Sequence, residues 1–303
     1  RSFINDMRKL TFLYILYFLD ASPISPGLNT WFAASELSYA GGGNLIFTPN
    51  SRAANPANYF SERCFSTSFI FYPAGIQSQS VSIFLPKKSQ LLTAAINHTS
   101  YGTFKGYSEE AIPTDNFTSN ETLLRFGYSN SFNEYPIRYG LSNQFYLSKL
   151  EEYNSMKLYF SFGAIWDIEK YKTSIGLSVG DVDIEISSNS KTKQNSPNRY
   201  NIGFCKELSY LPLKISVDYL SITTKNKDYF ISGIFSISKQ LSLSWGTSTR
   251  KFSQNTNENV LKTIFGSSGL GISFMNNDII IGYGLYFYGT GGVTNGIDLS
   301  IKF

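Results

Sequence analysis

Apolar and polar residues alternate with a period of two along most of the chain after Ser66. Successive side chains of a β-strand point to opposite faces, so each such run predicts a strand with one apolar face. Runs bounded by turn residues predict about fourteen strands, over 67–72, 80–85, 91–101, 122–130, 135–146, 157–167, 171–179, 199–206, 213–220, 228–238, 241–249, 269–275, 278–288 and 296–303.

Composition indicates that the apolar faces of these strands meet lipid. Aromatic residues make up 16% of the chain and charged residues only 16%, yet the mean hydropathy is -0.14. Soluble domains carry about 25% charged residues. A barrel in lipid turns one apolar residue outward for each polar residue inward, which keeps its mean hydropathy near zero. A soluble sandwich, in which a second sheet covers the aromatic faces, is the alternative.

The lengths of the connections alternate along the sequence. With the C-terminus in the periplasm, tight turns fall at 86–88, 132–134, 168–170, 239–240 and 276–277, and longer connections at 102–121, 180–198 and 250–268. Transmembrane barrels have short periplasmic turns and longer outer loops. The chain is therefore predicted to be an all-β protein, a transmembrane antiparallel β-barrel of about 14 strands over residues 63–303, in the bacterial outer membrane.

The N-terminal residues have a different pattern. Residues 7–25 combine basic residues, an apolar run over 10–19 and small residues near a plausible cleavage point, as in a secretory signal peptide. In residues 27–62 the strand period fades. This small N-terminal segment is predicted to be a periplasmic or lumen plug, with a plain linker as the alternative.

Few residues offer chemistry. His98 and Ser100 would share one strand face, but nothing supplies the third group and oxyanion site that a hydrolase needs, and His98 is expected in the lumen or at the rim. Cys64 and Cys205 match no metal spacing and are expected to be unpaired thiols, with a periplasmic disulfide as the alternative. We expect no catalytic residue, no cofactor and no metal site.

The charged residues predict neither a calcium site nor a nucleic-acid site. The carboxylates cluster at Glu109, Glu110, Asp181, Asp183 and Glu185, where solvated loop charges are favoured over a calcium site. The net charge is +4 and the basic residues are scattered, so nucleic acid is not an expected partner.

The C-terminal strands carry two further signals. Aromatic residues near strand ends suit the interfacial girdles of a barrel; they are Tyr283, Tyr286, Phe287 and Tyr288. The last alternating run ends on an aromatic residue, a pattern that resembles the C-terminal signal recognised by the barrel-assembly machinery; it comprises Ile297, Leu299, Ile301 and Phe303.

Several stretches resemble a known family. Residues 40–43 (AGGG) with Asn55, Pro56 and Ala57 resemble the N-terminal pattern of the fatty-acid-transporter-like barrels of the PorV/PorQ family. The resemblance to this family is more specific over residues 99–107 (TSYGTFKGY), together with 115–118 and 146–151. The likeness extends over about 32–303.

The resemblance implies a non-enzymatic component of the type IX protein secretion system of Bacteroidetes-type bacteria. Such a barrel would hold a cell-surface attachment complex through its outer loops, so its partners would be other type IX components and outer-membrane lipid. The docking residues would be Phe104, Lys105, Gly106 and Tyr107. The alternative is a transporter of hydrophobic small molecules, which predicts an apolar lumen pocket and a lateral gap or kinked strand.

Overall fold

A computed structural model describes residues 30–52, 54–108, 112–132, 135–150, 153–188, 198–222, 227–253, 265–289 and 292–303. Fourteen antiparallel strands close into one barrel, in which every strand pairs with its sequence neighbours and the first pairs with the last. The predicted 14-stranded antiparallel barrel is confirmed. The predicted signal peptide, 7–25, lies outside the described residues.

The strands are β1 (Cys64–Phe71), β2 (Gln77–Lys87), β3 (Gln90–Tyr107), β4 (Pro113–Ser131), β5 (Ile137–Leu150), β6 (Tyr153–Ile168), β7 (Thr173–Ser188), β8 (Arg199–Glu207), β9 (Leu213–Ser221), β10 (Lys227–Ser236), β11 (Leu241–Ser248), β12 (Ser268–Asn276), β13 (Ile279–Phe287) and β14 (Val293–Lys302). Two short α-helices, α1 (Ala34–Ser38) and α2 (Arg250–Ser253), and two 3-10 turns, Pro73–Gly75 and Glu169–Tyr171, complete the described structure. In these ranges no helix is long and apolar enough to cross a membrane.

The alternating sequence pattern separates a lumen face from an exterior face. At the seam between β1 and β14, Ser66 pairs with Ser300 on the buried inner face, and Phe69 pairs with Ile297 on the exposed outer face. Large apolar side chains are exposed around the whole exterior, among them Phe126, Phe162, Ile202, Leu243, Ile272 and Ile281. Closure leaves no open sheet edge, and this exterior needs hydrocarbon as its solvent.

The C-terminal run predicted as an assembly signal forms the outer face of β14. Ile297, Leu299 and Ile301 are all exposed on the exterior, and Phe303 follows the strand with 65% of its surface exposed. The structure thus gives these residues a lipid-facing position. Their recognition by an assembly machinery stays a prediction.

One wall of the barrel is taller than the rest. Strands β3 to β7 have 14 to 19 residues, whereas the other nine have 8 to 11. The extra length lies at the end of the barrel opposite the C-terminus, here called the far end. The predicted outer loops 102–121 and 180–198 are wrong in their extent, because much of each range continues the strand ladder. The residues in these two ranges are largely polar, so the alternating pattern did not predict strands there.

The predicted girdle is also corrected in two positions, Tyr286 and Tyr288; the Tyr288 ring stacks on that of Trp31 in the lumen, with centroids 5.9 Å apart. Tyr283 is on the exterior, but Tyr286 points into the lumen with 2% of its surface exposed. Its ring meets that of Trp31 edge to face, with centroids 4.2 Å apart. Tyr283 and Tyr286 are three residues apart on one strand, so the period of two puts them on opposite faces and only one of them can belong to an outer girdle.

We expect Ile272→Arg, at the middle of the exterior face of β12, to destabilise the barrel in lipid by about 2–4 kcal/mol, because a cation there loses its hydration. Tyr107→Arg, at an exposed strand end of the far end, is the control and should cost far less. Denaturant unfolding in lipid vesicles measures both. Equal costs for the two variants would contradict a lipid-facing position for Ile272.

Candidate functional site

The lumen is occupied by the N-terminal segment of the barrel's own chain. Most of the described residues between 30 and 62, here called the plug, are buried, among them Phe32, Leu37, Tyr39, Leu45 and Ile46. Helix α1 contacts β1 and β11 to β14 on one side of the lumen. Residues 44–58 lie toward the tall wall. A lumen-filling segment therefore closes the barrel in this structure.

A wall carboxylate holds the start of α1. The backbone N–H groups of Ala34 and Ser35 donate to Asp298 Oδ1 and Oδ2 at 2.7 and 2.9 Å, and the Ser35 hydroxyl donates to Oδ2 at 2.8 Å. Free N–H groups at a helix start favour such an acceptor. A residue of β14 thus supplies the cap that Ala33, at the N-cap position, lacks.

Inward-facing glycines let the plug backbone lie directly against the wall. A Cβ atom on Gly284, Gly269 or Gly246 would overlap a plug carbonyl oxygen, from Ala34, Leu37 and Tyr39 respectively. Strand glycines are otherwise unfavourable because they pack no side chain, and they mark places where another backbone comes close. These glycines therefore lie where the plug backbone crosses β11, β12 and β13.

The Asn55, Pro56, Ala57 motif docks on the opposite wall in the same way. Cβ atoms on Gly140 and Gly163 would overlap Pro56 and Asn55. The Asn55 amide donates to the Leu177 carbonyl at 3.0 Å, and its Oδ1 accepts from the Ala57 N–H at 2.9 Å. The motif is thus a structural anchor of the plug on the wall.

A cavity of about 80 Å³ remains between residues 47–58 of the plug and the tall wall. Its lining is mixed: Phe84 and Leu91 are apolar, whereas Arg52, Arg125 and Arg199 are cationic. The volume admits a few waters or a small solute. The lining does not match the apolar lumen pocket expected of a transporter for hydrophobic molecules.

The ladder between β6 and β7 is interrupted beside this cavity. The register shifts between Phe160 and Phe162, and Asp181 on the bulged strand has a φ of 61°. Ser161 and Gly180 at this bulge line the cavity. Bulges bend a strand and leave a residue unpaired, so the irregular strand expected of a transporter is present at this point of the wall. A second irregularity lies between Ser100 and Gly102 of β3.

An ion-pair network joins plug and wall at the bulge. Arg52 of the plug donates to Asp181 Oδ1 at 2.5 Å, and Arg199 of β8 lies 3.7 Å from Oδ2. Arg52 also donates to Gln144 at 3.2 Å, and Arg125 donates to the Ser51 carbonyl. Sequence reasoning missed these arginines. Only Arg125 carried a signal in the sequence, as a lone cation inside the apolar run Leu123–Phe126.

The docking residues predicted from the family resemblance lie on a strand and not in a loop. The C-terminal end of β3 consists of Phe104, Lys105, Gly106 and Tyr107. The connection to β4 spans only 108–112. Phe104 and Tyr107 are exposed, at 43% and 59%. The Phe104 ring stacks on that of Phe117, with centroids 5.4 Å apart.

The remaining candidates for chemistry are placed apart. His98 is exposed on the outer face of β3 and not in the lumen, one of its two expected positions; it pairs with Gln79 near the start of β2, and its Nδ1 lies 2.9 Å from the Thr122 hydroxyl. Successive residues of a strand face opposite sides, and the neighbouring Asn97 is the one that faces the lumen. Cys64 and Cys205 are buried free thiols on β1 and β8. Within the described ranges no cluster of metal-ligating side chains occurs.

These features define a class: the chain is a plugged outer-membrane β-barrel, and its location is the bacterial outer membrane. No protein-family model and no curated protein matches the sequence. Solved structures do match. TodX, a toluene transporter of P. putida, is 10% identical with a TM-score of 0.58, over 90% of this chain and 99% of that one. A mutant of TodX described as a monoaromatic hydrocarbon channel gives a TM-score of 0.59, with the same identity and coverage.

A FadL homologue of Pseudomonas aeruginosa also aligns, at 9% identity and a TM-score of 0.49, over 93% of this chain and 99% of that chain. At these identities the TodX likeness shows a shared fold. It does not carry the substrate of TodX over to this chain.

We expect Gly284→Ala to displace the plug, because its Cβ would overlap the Ala34 carbonyl. Overpacking of this kind costs about 1–3 kcal/mol. Gly282→Ala is the matched control, two residues along the same inner face, where a Cβ meets only Asp298 at 3.5 Å. Thermal unfolding in detergent and protease cleavage of the plug measure the effect. A Gly284→Ala protein as stable and as resistant as the Gly282→Ala protein would refute the close contact.

Proposed function

We propose that this barrel is a non-enzymatic transporter that lets hydrophobic small molecules cross the outer membrane. The observation that carries the proposal is the bulge that interrupts the β6–β7 ladder, which lies beside the cavity between plug and tall wall at Ser161 and Gly180. A solute that passes the plug at this cavity meets the wall where that ladder is interrupted. The fold shared with a toluene transporter adds support.

The plug sets the condition for passage. Asp298 and the wall glycines hold it in the lumen, so a solute crosses only when part of the plug shifts. The contacts at the cavity side are hydrogen bonds and ion pairs between small surfaces, such as Arg52 with Asp181. Such contacts exchange with water more easily than the packed apolar contacts of α1 or the backbone anchor at Asn55 and Pro56, so residues 48–52 are the part that moves.

Uptake of radiolabelled toluene tests the proposal directly. The full chain is produced in the outer membrane of a host without hydrocarbon transporters, and uptake is compared with cells that carry an empty vector. Faster uptake of toluene, with no change for a polar solute of similar size, is the expected result. Equal rates with and without the protein would eliminate hydrocarbon transport.

A disulfide staple tests whether the plug must move. The hydroxyl groups of Ser38 on the plug and Ser244 on β11 are 2.7 Å apart, close enough for a bridge between cysteines. We expect the double variant Ser38→Cys with Ser244→Cys to keep the same uptake when oxidised as when reduced, because the bridge fixes α1 and leaves the cavity-side residues of the plug free to move. Both native cysteines are replaced by serine in this background.

The control staple joins two wall strands only. Ser242 and Ser273 also have hydroxyl groups 2.7 Å apart, and a bridge between cysteines there leaves the plug free. Uptake should survive this second staple. Loss of uptake with the plug staple but not with the wall staple would contradict this expectation and show that α1 itself must move.

A second candidate function, scaffolding in type IX secretion, is favoured by one observation. The tips of β3 and β4 rise roughly 20 Å above the neighbouring β2, at about 3.3 Å per residue. Phe104 and Tyr107 are exposed there. Large aromatic residues on a rigid support suit a protein partner, here the other components of the secretion complex at the cell surface.

Pull-down from membranes in mild detergent tests this second candidate. We expect Phe104→Ser with Tyr107→Ser to lose co-purifying secretion components, while Phe162→Ser, on the lipid-facing wall, keeps them. Components retained by the tip variant would exclude these two residues as the docking site.

A further inference from the structure

The cavity beside the plug has an unbalanced charge. Three arginines, Arg52, Arg125 and Arg199, line it, and among the described lining residues there is no aspartate or glutamate. The carboxylates that act electrostatically on this cluster are Glu36 and Asp181, and both lie behind the lining. Among the described groups named in these electrostatic contacts, three guanidinium groups face two carboxylates, which leaves one positive charge beside the cavity.

Asp181 is already committed. It is buried with the guanidinium groups of Arg52 and Arg199 on its two oxygens. Glu36 accepts the Phe32 N–H and the Ser51 hydroxyl, each at 3.1 Å. Neither carboxylate can therefore fold back to line the cavity without leaving these partners.

Arg125 is the group with donors to spare. A guanidinium has five N–H donors, and one hydrogen bond, to the Ser51 carbonyl, holds this one. It lies inside the barrel and borders the cavity. A buried cation that lacks a counter-charge is costly, and a bound anion removes that cost.

We infer that this cavity binds a small monovalent anion, chloride or a carboxylate of formate size, between Arg125, Arg52 and Arg199. The single excess positive charge sets the valence. The volume of about 80 Å³ sets the size and leaves space for a few waters as well. A neutral donor, the hydroxyl of Ser142, borders the same space.

The anion would act as a bridge between plug and wall. Arg52 is on the plug, whereas Arg125 and Arg199 are on β4 and β8. A ligand shared by the three joins the two parts of the molecule, so its binding stabilises the plugged barrel by mass action.

The test is the thermal midpoint of the full-length protein in detergent, in sodium chloride, sodium formate or sodium gluconate at one ionic strength. Gluconate is too large for the cavity. A saturable rise of the midpoint with chloride and with formate, and none with gluconate, is expected. A rise in only one of them identifies which of the two the site accepts. The same midpoint in all three salts would overturn the inference.

Two variants locate the effect. Arg125→Gln should abolish the anion-dependent rise. Arg138→Gln, which removes a lumen-side arginine already paired with Asp167 at 2.7 and 2.9 Å, should keep it. If Arg125→Gln does not fold, Arg199→Gln takes its place. An anion response that survives in the Arg125→Gln or Arg199→Gln protein would place the anion elsewhere and overturn the inference, whatever the outcome of the toluene experiment.

Discussion

The pairing of backbone N–H and C=O groups in hydrocarbon is the constraint on which this structure depends. Lipid offers no hydrogen-bond partner, so a sheet in a membrane must close on itself. Closure between β1 and β14 satisfies the last two edges. It also creates an interior that the strands themselves do not fill, since their inner residues are mostly serine, glycine and asparagine. The remaining features of the structure depend on how the plug fills that interior.

The plug occupies it by contacts between backbones as well as by large buried side chains such as Trp31 and Leu37. Glycines at 140, 163, 246, 269 and 284 remove the side chains that would hold the plug away from the wall. Asp298 then meets the N–H groups that α1 leaves free. Shape and hydrogen bonding thus fix the plug on one side of the lumen. On the other side, charge does the same through Arg52 and Asp181.

This difference between the two sides bears on function. The α1 side is packed and dry, with Trp31 against Tyr286 and Leu37 fully buried. The side toward the tall wall has a cavity, a bulge and a cationic cluster. Polar contacts of that kind can rearrange when a solute or an ion enters, whereas apolar packing resists it. The packed α1 side and the polar cavity side together suit the proposed transporter, in which the cavity-side residues of the plug move and an anion binds beside them.

The period of two in the sequence determined the number of strands, their order and their apolar face, because that period is a local property of the strand. It also marked residues 27–62 as a separate segment. The sequence left three things open. The extension of β3 through Tyr107 follows from its pairing with β4, and the contact of Tyr286 with Trp31 follows from the position of the plug. Arg52, Arg125 and Arg199 are 73 or more residues apart in sequence, and only closure of the barrel around the plug brings their charges to one cavity.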